Sequence, residues 1–149
     1  MRIWTIHPGR LDQKRLCGMW KEGLTGLKVI GTDKGYAGHS AWKRFKTKDQ
    51  LALVLYHVWV ESKIRGYNFN RELLPEINMD LPRIPVRSGQ ILYELAFLEE
   101  KGAYIQNTSV PFISPVFYQI PGGFEEWEKI KEEVVNKIGE GAIHHGKFL

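Results

Sequence analysis

TKDQLALVLYHVWVESKIRG, residues 47–66, is the stretch on which the reading of the fold turns. Thr47 followed three positions later by Gln50 makes a capping box, and Gly66 is a helix stop. Between them the apolar residues are too dense for one face, so the spacing predicts a long helix from Lys48 to Arg65, buried nearly all round. Its apolar run, Leu51–Val60, is about half of a membrane span. This helix belongs inside a protein core.

Working outward, Asp12 caps a helix expected to run to about Ile30, with Leu16, Trp20, Leu24 and Leu27 at helical spacing. Ser88 is read as the cap of a third helix, Gly89 to Lys101, with Ile91, Leu92, Leu95 and Leu98 inward and Gly102 ending it. A fourth is read from about Phe124 to Ile138, with Phe124, Trp127, Ile130, Val134 and Ile138 on one side. The connections LLPEINMDLPRIPV and NTSVPFISPVFYQIPGG carry prolines that argue against regular structure but enough apolar residues to pack down. The expectation is an all-α, compact single domain over residues 1–149, about four helices with long irregular proline-bearing connections. The tail from about residue 139 is expected to be loosely held.

A chain of 149 residues with 43% hydrophobic content can fill one core. Cys17 is the single cysteine, which excludes an intramolecular disulfide and a cysteine-rich zinc site. His7, His39 and His57 lack metal-ligand spacing, and His144 and His145 fall in the tail, so no metal and no cofactor are expected. MRIWTIHPGR has no signal-peptide core, so a cytoplasmic monomer without membrane contact is expected. The charge is divided unevenly. Residues 1–71 carry +9 and the remainder −5. Such a basic half, with KRFKTK at Lys43–Lys48, suits binding to a polyanion, or else forms a solvated face balanced by the acidic half.

Two places invite chemistry. Arg2 is large enough to prevent removal of Met1, so either the terminal amine is kept on that residue for chemistry or Arg2 is simply an exposed basic residue. On the first helix Glu22 has Gly18 one turn before it and Gly26 one turn after. Two helix-interior glycines cost roughly 1 kcal/mol each, a cost offset either by tight helix packing or by the approach of a substrate to a carboxylate in cleared space.

MRIW at the start, WKEGL around Glu22, AGHSAWKRF, RGYNF and LEEK resemble the pyrimidine-dimer DNA glycosylase family of the phage endonuclease V type. VRSGQILYE and PVFYQIPGGFEEWE look similar to its bacterial and archaeal branch, so the likeness reaches to about Glu128. The resemblance implies a DNA repair glycosylase with AP-lyase activity on damaged double-stranded DNA. In it the amine of Met1 is the nucleophile, forming a Schiff base without a metal, and Glu22 is its acid–base partner. It aligns Lys21 with the arginine of an Arg-Glu pair, Arg15 with a histidine and Thr25 with another arginine. Only Lys101 matches the late basic contacts, with Phe97 at the other place. The expected DNA contacts are Arg2, Arg15, Lys21, His39, Lys43, Arg44 and Lys101, with Lys46 and Lys48 next; Trp42 and Tyr36 are read as core aromatics first and as a wedge beside an opened base second. An α-amine has an ordinary pKa of about 7.7–8, against about 10.4 for lysine, so it is usable near neutral pH. Neighbouring Arg2 and Lys21 push it further that way. The alternatives are a non-catalytic nucleic-acid-binding protein on the same fold, or a glycosylase or lyase for another lesion.

Overall fold

The computed structural model describes residues 2–30 and 42–128. Its elements in order are a 3-10 turn Pro8–Arg10, α1 (Gln13–Val29), α2 (Lys48–Ile64), a 3-10 turn Arg71–Leu73, β1 (Ile84–Arg87), α3 (Ser88–Glu100) and β2 (Phe117–Ile120). The architecture is mixed α/β, which corrects the all-α expectation. β1 and β2 form a two-stranded parallel sheet in the register Ile84↔Phe117, Pro85↔Tyr118, Val86↔Gln119 and Arg87↔Ile120. Both strands lie inside the two segments read as irregular. Each has four residues, and Pro85 in β1 looks like a strand breaker. Proline is tolerated here because a two-stranded sheet consists only of edges, so its missing N–H need not interrupt a ladder. Ile84, Val86 and Phe117 are buried.

The caps explain where the helices start. Asp12 accepts from the Arg15 N–H (2.9 Å) and Thr47 from the Gln50 N–H (3.3 Å). Gln50 Oε1 accepts from Lys46 N (2.7 Å) rather than closing the capping box on Thr47. Gly66 and Gly102 take positive φ (77° and 63°) and stop α2 and α3. At α3 the expectation fails in detail. The N-cap position is Arg87, with no side-chain cap, and Ser88 Oγ instead bonds Ile120 O (3.1 Å) and Gln119 Nε2 (3.0 Å), tying the helix to β2.

The fourth helix was expected from Phe124. Phe124–Glu128 form a turn, held by ion pairs, and the rest of that stretch lies outside the described residues, as does the tail.

α1 packs on α2. The apolar face of α1 runs through Leu16, Met19, Trp20, Gly23, Gly26 and Val29, with Leu24 and Leu27 only half-buried. A Cβ at Gly23 would lie 2.3 Å from Leu55 Cδ2, and one at Gly26 would lie 2.8 Å from Leu51 Cδ2 and 3.1 Å from the Trp42 ring. These two glycines therefore permit the close approach of the helices. In α2, Leu51–Leu55 and Val58 are buried.

The N-terminal segment is threaded through the body of the fold. Ile3, Trp4, Thr5 and Ile6 are all buried. Ile6 bridges Ile113 and Leu11 bridges Tyr104, both antiparallel, with Ser114 N donating to Thr5 O (2.9 Å) and His7 N to Phe112 O (2.9 Å). Burying side chains such as Ile3 and Ile6 stabilises by roughly 1.5–3 kcal/mol each, which makes this segment a fixed part of the core.

Candidate active site and nucleic-acid face

Two depressions adjoin along the outer face of α1. A cleft of about 240 Å³ is lined by Arg2 and Trp4, by Lys14, Arg15, Gly18 and Met19 of α1, and by Phe97 of α3. A broader groove of about 720 Å³ is lined by Asp12, Gln13, Lys14, Cys17, Gly18 and Lys21. Lys14 and Gly18 belong to both, so cleft and groove meet along one line of the helix. Helical periodicity places Glu22 one turn beyond Gly18 and Met19 along α1, though Glu22 itself lines neither depression. Glu22 is half-buried, and among the described residues no cation lies within ion-pair distance of it. Gly18 faces the cleft, whereas Gly26 packs on α2, so only one of the two glycines flanking Glu22 clears space for it.

Arg2 is built into the cleft wall with care. Its guanidinium donates to Glu126 and to the Tyr93 hydroxyl (3.3 Å) and lies over the rings of Trp4, Tyr93 and Phe97 at 5.0–5.2 Å. Burial works against its charge, but Glu126, Tyr93 and Glu94 outweigh it, and the pKa is raised. Behind Arg2, Glu94 is fully buried and accepts from Thr5 N (2.7 Å), Thr5 Oγ1 (2.7 Å) and Gln90 Nε2 (2.9 Å). Burial pushes its pKa up despite Arg44 and these donors. Sequence reading missed Glu94 and Glu126. For Glu94 the signal was present: a carboxylate three residues after Ile91 and four before Leu98 falls on the inward stripe of α3.

The other expected contacts divide. Arg15 borders the cleft, with Nη1 3.2 Å from Asp12 Oδ2. Lys21 is exposed on the groove, and Thr25 Oγ1 donates to Lys21 O (3.2 Å) within the helix. Lys101 is exposed, its Nζ 5.8 Å from the ring of Phe97, which lines the cleft. Lys43, Lys46 and Lys48 are exposed but border neither depression.

Arg44 departs from the expected surface contact. Its guanidinium lies between Phe117 (4.1 Å) and Trp127 (4.3 Å), shielded from solvent, with no hydrogen bond to Nη1 or Nη2. Burial lowers its pKa to about 10 against the pull of Glu94, Glu125 and Glu126. Trp42 is buried, so it is not available as a wedge in this arrangement. Met1, Tyr36 and His39 lie outside the described residues.

The basic half is sorted by side-chain type. Arg2, Arg10, Arg15, Arg44, Arg65 and Arg71 are all at least half-buried, while Lys14, Lys21, Lys28, Lys43, Lys46, Lys48 and Lys63 are all exposed. Arg10 donates to three main-chain carbonyls (Ile105, Val110 and Pro111), and Arg65 ties Glu61 to the carbonyls of Pro8 and Leu11. The planar fork of arginine suits such internal bracing. The charge offered to a polyanion is thus largely lysine.

The family model described as pyrimidine dimer DNA glycosylase matches residues 1–75. The chain belongs to this family. Membership gives this pyrimidine dimer DNA glycosylase a DNA repair role and a DNA substrate in general terms. No curated protein and no solved structure gives a significant match. The family match takes in Met1, α1 and α2 and ends before β1, so the side chains that hold Arg2 and Thr5 from the second half lie beyond it. Among the described residues no group of three or more His, Cys, Asp or Glu side chains is placed to hold a metal, and no helix is long and apolar enough to cross a membrane.

Proposed function

We propose that the protein is a bifunctional glycosylase and AP lyase for damaged double-stranded DNA, with pyrimidine dimers as its lesion, working through the Met1 amine without a metal. The neutral amine attacks the anomeric carbon of the damaged nucleotide. The glycosidic bond breaks, and the base leaves with the electron pair and takes up a proton. Opening of the sugar leaves an iminium between the Met1 nitrogen and the sugar carbon. Glu22 stabilises the developing cation, relays protons during imine formation, and then removes the adjacent sugar proton, so that elimination expels the 3′ phosphate. Lys21, Arg15, Lys101 and the lysines ahead of α2 bind phosphate and fix register without reading the lesion. His39 is assigned to the same DNA-facing set on the resemblance alone. A lesion that already weakens stacking lowers the cost of opening the duplex.

The observation that carries this reading is the cleft beside α1. Arg2, covalently joined to Met1, lines it together with Gly18 and Met19, and Glu22 follows one turn later on the same helix, half-buried and with no cationic partner among the described residues.

The test is borohydride reduction in the presence of an abasic-site duplex. Wild-type protein with a free N-terminus, or with a C-terminal tag, is expected to become covalently trapped, and protein with an uncleaved N-terminal tag is not. Equal trapping in all three forms would refute Met1 as the nucleophile, and trapping in none would leave a DNA-binding protein.

A further inference from the structure

Arg2 is held from a part of the chain that the family match does not reach. Its partner Glu126 sits on the turn after β2, and that turn is itself fixed. Glu126 N donates to Gln90 Oε1 (3.0 Å), Gln90 Nε2 approaches Glu126 Oε1 (3.3 Å), and Phe124 packs edge-on against Tyr93 with centroids 4.6 Å apart. Gln90 also donates to Glu94, which grips Thr5. One side-chain network therefore holds the N-terminal segment at two points, Thr5 through Glu94 and Arg2 through Glu126.

We propose that Glu126 is a positioning residue for the reaction, acting on the terminal residue through Arg2. This rests on the reading of Met1 as nucleophile. Consecutive Cα atoms are about 3.8 Å apart, so fixing Arg2 fixes the point from which Met1 projects. Burial of Ile3 and Trp4 and the Thr5 anchor fix the chain behind Arg2, and the contact with Glu126 carries that restraint to the residue next to Met1. The guanidinium also needs a defined direction, because one side of it meets the cleft. Its three ring contacts restrain its plane, while the carboxylate sets where along that plane its donors point. Small displacements of a nucleophile cost rate far more than binding, whereas the lysines on the outer face are untouched by Glu126 and keep the DNA affinity.

The experiment measures single-turnover trapping on an abasic duplex together with DNA affinity, using the full chain. Glu126→Ala is expected to slow trapping by about 10-fold, the scale of a modest misplacement, with the dissociation constant changed less than about twofold. Glu128→Ala is the control. It lies on the same turn and pairs with Arg87 without touching Arg2, so it reports what loosening the turn alone does. Glu126→Gln, which keeps an oxygen acceptor for Arg2, should recover most of the rate and serves if the alanine variant fails to fold. Arg2→Gln, which retains Met1 because glutamine is also large, should make a further Glu126→Ala change without effect on rate. Equal slowing by Glu126→Ala and Glu128→Ala, additive effects with Arg2→Gln, or a Glu126→Gln variant as slow as a folded Glu126→Ala would overturn the proposal. If wild-type protein is trapped normally and Glu126→Ala matches it, this inference alone fails; if wild-type protein is not trapped, the reading of the active site fails first.

Discussion

Exchanging Arg44 for methionine, beside a separate Lys43→Ala, tests whether adjacent cations serve different purposes. Neither Nη1 nor Nη2 of Arg44 has a hydrogen-bond partner among the described residues, and its pKa falls to about 10 through burial. At neutral pH the group is charged both folded and unfolded, so the native state carries the whole penalty, about 3 kcal/mol from the size of that fall. Stacking against Phe117 and Trp127 at 4.1 and 4.3 Å returns up to about 2 kcal/mol for each ring. The two effects nearly cancel. Methionine keeps the stem volume and a soft contact with both rings, so Arg44→Met should unfold in urea within about 1 kcal/mol of wild type. In DNA titrations from low to high salt, Arg44→Met should leave the slope of log affinity against log salt unchanged. Lys43→Ala should make it shallower by about one, the value for one lost phosphate contact. A full unit lost on Arg44→Met would show that its guanidinium reaches phosphate. A loss of more than about 3 kcal/mol in stability would show that it forms an essential buried pair instead.

Three further outcomes are expected. Glu22→Gln should reduce strand cleavage by at least about 100-fold, at the low end for acid–base catalysis, while gel-shift affinity is kept; normal turnover by a folded variant would make Glu22 structural. Gly23→Ala gains about 1 kcal/mol in helix propensity but forces a methyl group against Leu55, an overpacking cost of about 1–3 kcal/mol. A net loss of about 1 kcal/mol is therefore predicted from urea midpoints, and a stabilised variant would mean that α1 and α2 can separate freely. Glu94 has its folded pKa raised by burial, so its contribution is fully present below the ordinary glutamate pKa of about 4.3 and is lost as pH rises through the folded value. The stability of wild type relative to Glu94→Gln should accordingly fall from about pH 4 toward neutrality; a difference that grows with pH would contradict the assignment.

The helices were legible because their signals are local. Asp12, Thr47 and Gly66 act within one turn of the boundaries they set, and the apolar density of Leu51–Leu55 needs no partner to be recognised. The sheet was not legible, because each strand is four residues long and Ile84 finds its partner only at Phe117, on the far side of α3. The catalytic proposal came from residues near the start of the chain, Met1 and Glu22, but the side chains that hold the first of these segments did not. Glu126 carries no signal of its own in the sequence, and Arg44 is expected at phosphate, since neither the turn at Phe124–Glu128 nor the ring of Trp127 above Arg44 has a local signature. Net charge was a guide to the class of partner, yet it did not distinguish the arginines that brace the interior from the lysines left outside.

The contact between Arg2 and Glu126 spans 124 residues, and that between Thr5 and Glu94 spans 89. During synthesis at about 5–20 residues per second, roughly 6–25 s separate the appearance of the two ends of the longer contact. Throughout that interval α1 and α2 can form and present their lysines to DNA, while Arg2 lacks its partner Glu126 and, for most of it, Thr5 lacks its partner Glu94. If Met1 is the nucleophile, as proposed, the order of synthesis withholds the restraint on its neighbour Arg2 until Glu126 has emerged.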